Sequence, residues 1–161
     1  MSNSINKIEI RDARIARRNF RGEERRFGNK VMNSAGNRNF LLILPDDIVG
    51  DCISDGWNVK QFKSSEDGTP GDYFINVKVN FSYKPPVVWL VTRKDGKPVR
   101  TKLDEDTIGE LDYADIIEIK LVVKPVIRTD EYSGKTTVSA YLETMYCEVE
   151  NSDPFADDEE W

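Results

Sequence analysis

The stretch YFINVKVNFS, residues 73 to 82, indicates the fold class because its apolar side chains recur at every second position. The odd-numbered residues from Tyr73 to Phe81 are all apolar, whereas the even-numbered ones include Asn76, Lys78 and Asn80. A period of two is the repeat of an extended strand, in which successive side chains point to opposite faces of a sheet. The stretch therefore predicts a β-strand with one face in a core and the other partly exposed to solvent.

Further extended segments lie on both sides of this strand in the sequence. The Asp95-Gly96 pair predicts a tight turn between two of them. Pro125 predicts a bulge or an edge position, because proline has no backbone N–H to donate to a sheet. Trp89 stands in an apolar run and is predicted to belong to the core. The segments are IEIRDARIARRNF (8 to 20), NFLLILP (39 to 45), VVWLVTR (87 to 93), VRTKL (99 to 103), IIEIKLVVKPVIR (116 to 128) and TTVSAYLETMYCEVE (136 to 150).

Helix is scarce in this sequence. The best candidate is PDDIVGDCISDGW, residues 45 to 57, where two acids follow Pro45 and Gly56 favours a helix end. Its apolar residues Ile48, Val49, Cys52 and Ile53 share one face at helical spacing, and a second short turn is predicted in EDTIGELD, residues 105 to 112. About six strands with one or two helices fit a small closed or nearly closed barrel better than a parallel α/β sheet.

Composition excludes several function classes. The chain has no histidine, so histidine-dependent catalysis and zinc-histidine sites are excluded. Cys52 and Cys147 lie far apart without CxxC spacing and are interpreted as buried apolar side chains. No phosphate-binding glycine motif or nucleophile elbow is present, and the acid pairs stand beside turn residues, where they are interpreted as loop charge or helix caps. We therefore expect no enzyme activity, no cofactor and no metal.

Charge is segregated along the chain. Residues 1 to 40 carry a net charge of +6, whereas residues 41 to 149 and residues 150 to 161 each carry −6. The basic part is densest in NFRGEERRFGNK, residues 19 to 30, where arginines stand beside Phe20 and Phe27. An acidic protein gains no solubility from a local basic cluster, so this cluster is interpreted as facing a polyanion or pairing with acid elsewhere in the molecule.

The sequence resembles the single-stranded DNA-binding proteins of tailed bacteriophages over nearly its whole length. The matching pieces, in the family's order, are EERRFGN (23 to 29), the strand ending in Ile43-Leu44-Pro45, FINVKVNFS (74 to 82), VTRKDGKPV (91 to 99), IKLVVKP (119 to 125), YLETMYCEVE (141 to 150) and DPFADDEEW (153 to 161). The resemblance implies an OB-fold over residues 1 to 149: a mainly β, five-stranded Greek-key barrel with a short helix and an added β-hairpin. It also implies a disordered acidic C-terminal tail over residues 150 to 161.

The resemblance implies that the polyanion bound by the basic cluster is single-stranded DNA. A sequence-tolerant binder of single strands needs cations for phosphates and flat side chains for bases. Some relatives carry aromatic residues directly after the proline that aligns with Pro125, whereas Val126 and Arg128 occupy those positions here, so the stacking role is predicted for Tyr132. The candidate DNA-binding residues are Arg17, Arg18, Phe20, Arg21, Arg25, Arg26, Phe27, Lys30, Arg38, Lys78, Asn80, Arg93, Lys120, Lys124, Arg128 and Tyr132.

The tail, NSDPFADDEEW, has charge of one sign and no periodic apolar pattern, which predicts disorder. Its two aromatic residues indicate a docking peptide, since rings fill a partner's pocket and acids meet a basic rim. The resemblance implies that it recruits phage or host replication proteins, such as a polymerase, helicase-primase or recombinase, and competes with DNA for the basic groove. The tail residues assigned to partner binding are Asp153, Phe155, Asp157, Asp158, Glu159, Glu160 and Trp161.

Two function classes stay open at this point. The resemblance implies sequence-independent binding and protection of single-stranded DNA during phage replication, recombination and repair, by a monomer or homodimer in the cytoplasm of the infected bacterial host. The absence of an apolar run of membrane-spanning length or of a signal peptide agrees with that location. The alternative is an acidic interaction protein on the same barrel, such as a DNA mimic that inhibits a host nucleic-acid enzyme.

Overall fold

A computed structural model describes residues 5 to 82 and 84 to 150 as a mainly β structure. These residues include one α-helix, α1 (Asp46–Asp55), and a 3-10 helix (Ile108–Asp112). No helix in these two ranges is long and apolar enough to span a membrane. The strands are β1 (Ile8–Ile10), β2 (Arg14–Asn19), β3 (Arg25–Phe27), β4 (Lys30–Asn33), β5 (Arg38–Ile43), β6 (Lys60–Gln61), β7 (Tyr73–Val79), β8 (Val87–Lys94), β9 (Lys97–Leu103), β10 (Ile116–Thr129) and β11 (Thr136–Val149).

Nine of these strands form one sheet, whose main path runs β1-β10-β11-β7-β5-β2. β6 adds to β7, β8 lies between β11 and β9, and β3 with β4 forms a separate two-stranded sheet. Among the described residues, no strand ladder closes the large sheet. β2, the last strand of the path, approaches β10 where the N–H of Ala13, just before β2, donates to the carbonyl of Ile119 at 2.9 Å. The predicted class, a mainly β fold with one short helix, is confirmed. The barrel is open between β2 and β10.

β7 is the strand that the opening alternation predicts, and it lies between β5 and β11. Ile75, Val77 and Val79 are buried with exposures of 1%, 0% and 5%, and they pack with the buried residues of β5. The even-numbered residues Asn76 and Lys78 are exposed on the outer face. One side of the sheet therefore belongs to the core and the other is available to a ligand.

β10 and β11 pair with each other along almost their whole length. A bulge at Glu143 on β11, opposite Val122 and Val123, shifts the buried side of β11 from even to odd positions, so that Leu142 and Met145 both enter the core. The half of β11 before this bulge pairs with β7, and the half after it pairs with β8. Pro125 lies beyond the reach of β1, which pairs with β10 no further than Val123, so the predicted edge position is confirmed.

Local signals fix the turns and the helix. Asp95 and Gly96 have φ of 53° and 76°, the positive values that a two-residue type I′ hairpin requires. α1 ends at Gly56, whose φ of 93° leaves the right-handed helical region. Cys52 is buried on the inner side of α1, as predicted, but Ile53 is 54% exposed and its predicted place on the buried face is wrong.

Both cysteines are buried, as the sequence predicts. Burial raises the pKa of the Cys147 thiol to about 12, and burial also raises the pKa of Cys52. A thiol with such a pKa stays protonated at neutral pH and is a poor nucleophile. Cys147 therefore serves as a small apolar side chain of the core.

Candidate nucleic-acid interface

Four side chains form a row across the outer face of β5, β7, β11 and β10. Asn39 lies opposite Lys78, Lys78 opposite Tyr141, and Tyr141 opposite Lys124. Residues opposite one another on neighbouring strands share a face and are in reach of each other. The Lys78 Nζ atom lies 5.7 Å from the centroid of the Tyr141 ring. This Lys78 row, which comprises these four residues, places Tyr141 between two lysines.

A concave polar surface, hereafter the groove, lies over part of this row. Amide side chains are frequent in its lining, and amides both donate and accept hydrogen bonds. The groove can therefore contact the polar edge of a base or a sugar without demanding one donor pattern. Its floor is formed by Asn39, Asn76, Lys78 and Tyr141, one wall by Asn33 and Asn37, and the other wall by Asn80, Phe81 and Glu105.

Hydrogen bonds between asparagines and the main chain hold the first wall in place. Asn19 is 1% exposed; its Nδ2 atom donates to the Glu23 carbonyl at 3.0 Å, and its Oδ1 atom accepts the Glu23 N–H at 2.9 Å. Asn33 donates to the carbonyls of Glu23 and Asn37, at 2.8 and 3.1 Å. Asn39 donates to the Asn33 Oδ1 atom at 2.8 Å. This network ties the segment that follows β2 to β5, next to the Lys78 row.

From this base the β3–β4 hairpin projects as an arm, residues 25 to 33. Its two strands pair with each other and form an antiparallel sheet separate from the large one. Its turn begins at Gly28, whose φ of 61° suits the first central residue of a type II′ turn. Arg25, Arg26 and Lys30 are exposed, and Phe27 at the turn is 80% exposed. The arm therefore presents cations and one aromatic ring to solvent beside the groove.

Arg38 lies at the start of β5 and lines the groove. Its guanidinium carbon is 5.7 Å from the centroid of the Phe81 ring, and its Nη1 atom is 3.5 Å from a carboxylate oxygen of Glu105. The side chain is only 19% exposed. The guanidinium group of Arg38 is therefore held at the groove wall, where it forms an ion pair with Glu105.

Arg18 and Arg21 donate hydrogen bonds to the segment around the 3-10 helix. Arg18 donates through Nη1 to the carbonyls of Leu111 and Ala114, at 2.7 and 2.8 Å, and so fixes the segment around the 3-10 helix. Arg21 donates to the Tyr113 hydroxyl at 2.9 Å, and this hydrogen bond raises the pKa of Arg21. Both side chains thus have partners within the protein, and the phosphate contacts of Arg18 and Arg21 stay predictions.

Phe20 cannot stack on a base. Its side chain is 0% exposed and packs on Phe40 with ring centroids 5.3 Å apart. The prediction of a stacking role for Phe20 is therefore wrong, because the whole ring belongs to the core. Arg17, three residues earlier, is exposed, and its guanidinium carbon lies 5.9 Å from the centroid of the Phe62 ring.

The predicted cations of β10 all lie on its outer face. Lys120, Lys124 and Arg128 are four residues apart, which separates neighbouring members by about 13 Å along a strand. Tyr132, in the turn after β10, is 100% exposed, as its predicted role requires. Arg93, on β8, is paired through Nε with a carboxylate oxygen of Glu148 at 2.8 Å.

The sequence does not predict the outward position of three aromatic residues, which are Trp89, Tyr141 and Tyr146. The prediction that Trp89 belongs to the core is wrong. Its neighbour Val88 is 0% exposed and occupies the inner face of β8, whereas Trp89 is partly exposed on the outer face, opposite Tyr146 on β11. Tyr141 was not predicted either, although it alternates with the buried Ala140 in an apolar segment. Such alternation is a usable signal for an outward-facing ring once the strand is placed.

The predicted tail residues Asp153, Phe155, Asp157, Asp158, Glu159, Glu160 and Trp161 lie outside the described residues. The last described residue, Glu150, donates its N–H to the carbonyl of Asp115 at 2.8 Å, directly after the end of β11. The boundary predicted between a domain at 1 to 149 and a tail at 150 to 161 stays a prediction.

Comparison with known proteins gives a family and a fold. The model of a putative phage ssDNA-binding domain matches residues 1 to 156. A solved C-terminal truncation of the single-stranded DNA-binding protein of bacteriophage Enc34 is similar, with a TM-score of 0.51, 13% identity and coverage of 90% of this chain and 86% of that chain. The Enc34 protein in complex with ssDNA gives a TM-score of 0.50, 12% identity and coverage of 90% and 87%. No curated protein matches the chain.

Proposed function

Because the chain belongs to the family of the putative phage ssDNA-binding domain, we propose that it binds single-stranded DNA in the groove over the Lys78 row. The observation that carries this proposal is the contact of the Lys78 ammonium group with the Tyr141 ring. A base stacks on an aromatic face whatever its identity, and neighbouring cations neutralise the phosphates. The groove therefore binds strands without preference for sequence.

The remaining exposed cations extend this contact along the strand. On one side of the groove the arm supplies Arg25, Arg26 and Lys30, with Phe27 as a second stacking surface. On the other side the outer face of β10 supplies Lys124 and Arg128 toward Tyr132. Arg38 and Asn80 contribute from the groove itself, whereas Arg17, Arg93 and Lys120 contribute at its margins, through charge or through hydrogen bonds to the backbone of the strand.

In this proposal the protein is non-catalytic and acts as a monomer or homodimer in the cytoplasm of an infected bacterium. It covers single-stranded intermediates of phage replication, recombination and repair and protects them. Its acidic tail docks on replication proteins such as a polymerase, helicase-primase or recombinase. The charge segregation of the sequence supports this division, since the +6 of residues 1 to 40 suits a polyanion and the −6 of residues 150 to 161 suits a basic partner.

Replacing Lys78 with alanine tests the groove. Log affinity for a labelled oligo-dT falls with log salt by roughly 0.7 per phosphate contact on a single strand. We expect Lys78→Ala to lower the affinity and to reduce the magnitude of this slope by about that amount. The matched control is Lys63→Ala, which removes an exposed lysine from the loop after β6. Equal effects of the two variants on the slope would contradict the assignment.

Deleting residues 151 to 161 tests the tail. Tethered acids compete with DNA at a high effective concentration, so the truncated protein should bind oligo-dT more tightly, most clearly at low salt. Trp161→Ala should leave DNA affinity nearly unchanged and weaken the capture of replication proteins, because it removes a ring and no side-chain charge. Weaker DNA binding by the truncated protein would rule out competition by the tail.

A further inference from the structure

A second row of cations and rings crosses the same face of the sheet. Lys120 on β10 lies opposite Tyr146 on β11, Tyr146 opposite Trp89 on β8, and Trp89 opposite Lys102 on β9. Residues paired in this way share a face. This Trp89 row, which comprises these four residues, therefore repeats the chemistry of the Lys78 row with two aromatic rings in place of one.

The surroundings of the Trp89 row favour an anionic ligand with flat groups. Arg100 lies with its guanidinium carbon 5.4 Å from the centroid of the Tyr146 ring. Tyr146 and Lys120 of the row, together with Arg93, Arg100, Glu118 and Glu148, line a concavity. Glu148 is already engaged by Arg93 at 2.8 Å. With Arg93 and Glu148 paired, the concavity retains two cations, Arg100 and Lys120, against one acid, Glu118, beside the Tyr146 ring.

The two rows are continuous through β10 and β11. Lys120 of one row and Lys124 of the other are on the same face of one strand, about 13 Å apart. Val122, which lies between them on this face, is paired with Thr144, and neither residue carries a charge that would repel a phosphate. A single strand that leaves the Lys78 row along β10 thus meets the Trp89 row next.

We propose that the Trp89 row is a second base-stacking subsite for single-stranded DNA, occupied by a more distant segment of the strand held in the groove. The inference rests on the proposed function and adds to it the path and length of the bound strand. Trp89 and Tyr146 each offer a ring to a base, and Lys102, Arg100 and Lys120 neutralise the phosphates of that segment. The sheet then holds two separated groups of nucleotides.

A length series of oligo-dT separates the two subsites. Single OB-type domains cover roughly 4 to 16 nucleotides, so oligomers across and beyond this range should pass from one subsite to both. We expect Trp89→Leu to leave the affinity for the shortest oligomers unchanged and to weaken the longer ones five- to hundred-fold, roughly the loss of one stacked base. Trp89→Phe keeps a ring and should retain most of the long-oligomer affinity.

Tyr141→Ala serves as the reference, because a variant of the groove should weaken binding at every length. If Trp89→Leu had no effect at any length, or the same effect at all lengths, the second subsite would be rejected while the groove could stand. If Tyr141→Ala had no effect while Trp89→Leu acted at all lengths, the groove would be rejected instead. Lys102→Glu, at an exposed position, repeats the test without touching a ring and should weaken only long oligomers.

Discussion

Replacement of Tyr141 by alanine should weaken the binding of short oligo-dT five- to hundred-fold and leave the protein folded. Stacking of one base on an aromatic side chain contributes roughly 1 to 3 kcal/mol, and about 1.4 kcal/mol corresponds to a factor of ten in affinity. Tyr141 lies on the outer face between the buried Ala140 and Leu142, so its truncation removes no core contact of comparable size. Fluorescence anisotropy of a labelled oligomer measures the change.

Two controls isolate the ring of Tyr141 as the cause. Tyr141→Phe keeps the π-face and should bind nearly as well as the native protein. Tyr113→Ala removes another tyrosine, 70% exposed, that accepts a hydrogen bond from Arg21 and does not line the groove. If Tyr113→Ala weakened binding as much as Tyr141→Ala, a stacking site at Tyr141 would be untenable.

Replacement of Phe20 by alanine should destabilise the fold by about 3 to 5 kcal/mol, the usual cost of removing a buried phenylalanine. Its ring is 0% exposed and packs on Phe40, so the substitution leaves a cavity at the centre of the core. A domain of this kind has a total stability of roughly 5 to 15 kcal/mol, so the loss is a large share of it. Urea unfolding followed by circular dichroism measures the change in the free energy of unfolding.

Phe27→Ala is the matched variant in the same basic cluster. Phe27 is 80% exposed at the turn of the arm, so its removal should change the free energy of unfolding by less than about 0.5 kcal/mol. It should instead weaken DNA binding, since the arm loses its only ring. Equal unfolding curves for the native protein and Phe20→Ala would contradict the placement of Phe20 in the core.

The contrast between these two phenylalanines shows where sequence reasoning succeeds and where it stops. Local patterns were sufficient for β7, whose alternation requires one buried face, and for the turn at Asp95 and Gly96, whose residues tolerate positive φ. Phe20 and Phe27 both stand beside arginines and give the same local signal. Only the pairing of β2 with β5 buries one of them and leaves the other on a projecting hairpin.

The candidate site required contacts between residues that are far apart in the sequence. Lys78 was predicted from its place on the polar face of β7. Its neighbour Tyr141 lies on β11, which pairs with β7 in parallel, and a parallel pairing has no connecting turn that could be recognised in the sequence. Trp89 was misplaced because both neighbours in its run are apolar, so the sequence does not reveal which side of β8 is inner. The register with Tyr146 and Lys102 settles that orientation.

The measurement that tests the central claim most directly is the affinity of the native protein for oligo-dT and for a duplex of the same length, each at two salt concentrations. We expect the single strand to be bound much more tightly than the duplex, because only unpaired bases can stack on Tyr141, and we expect its affinity to fall as salt rises. An acidic protein that imitates DNA would bind neither. Equal affinity for both forms, or an affinity for oligo-dT that does not change with salt, would contradict the account.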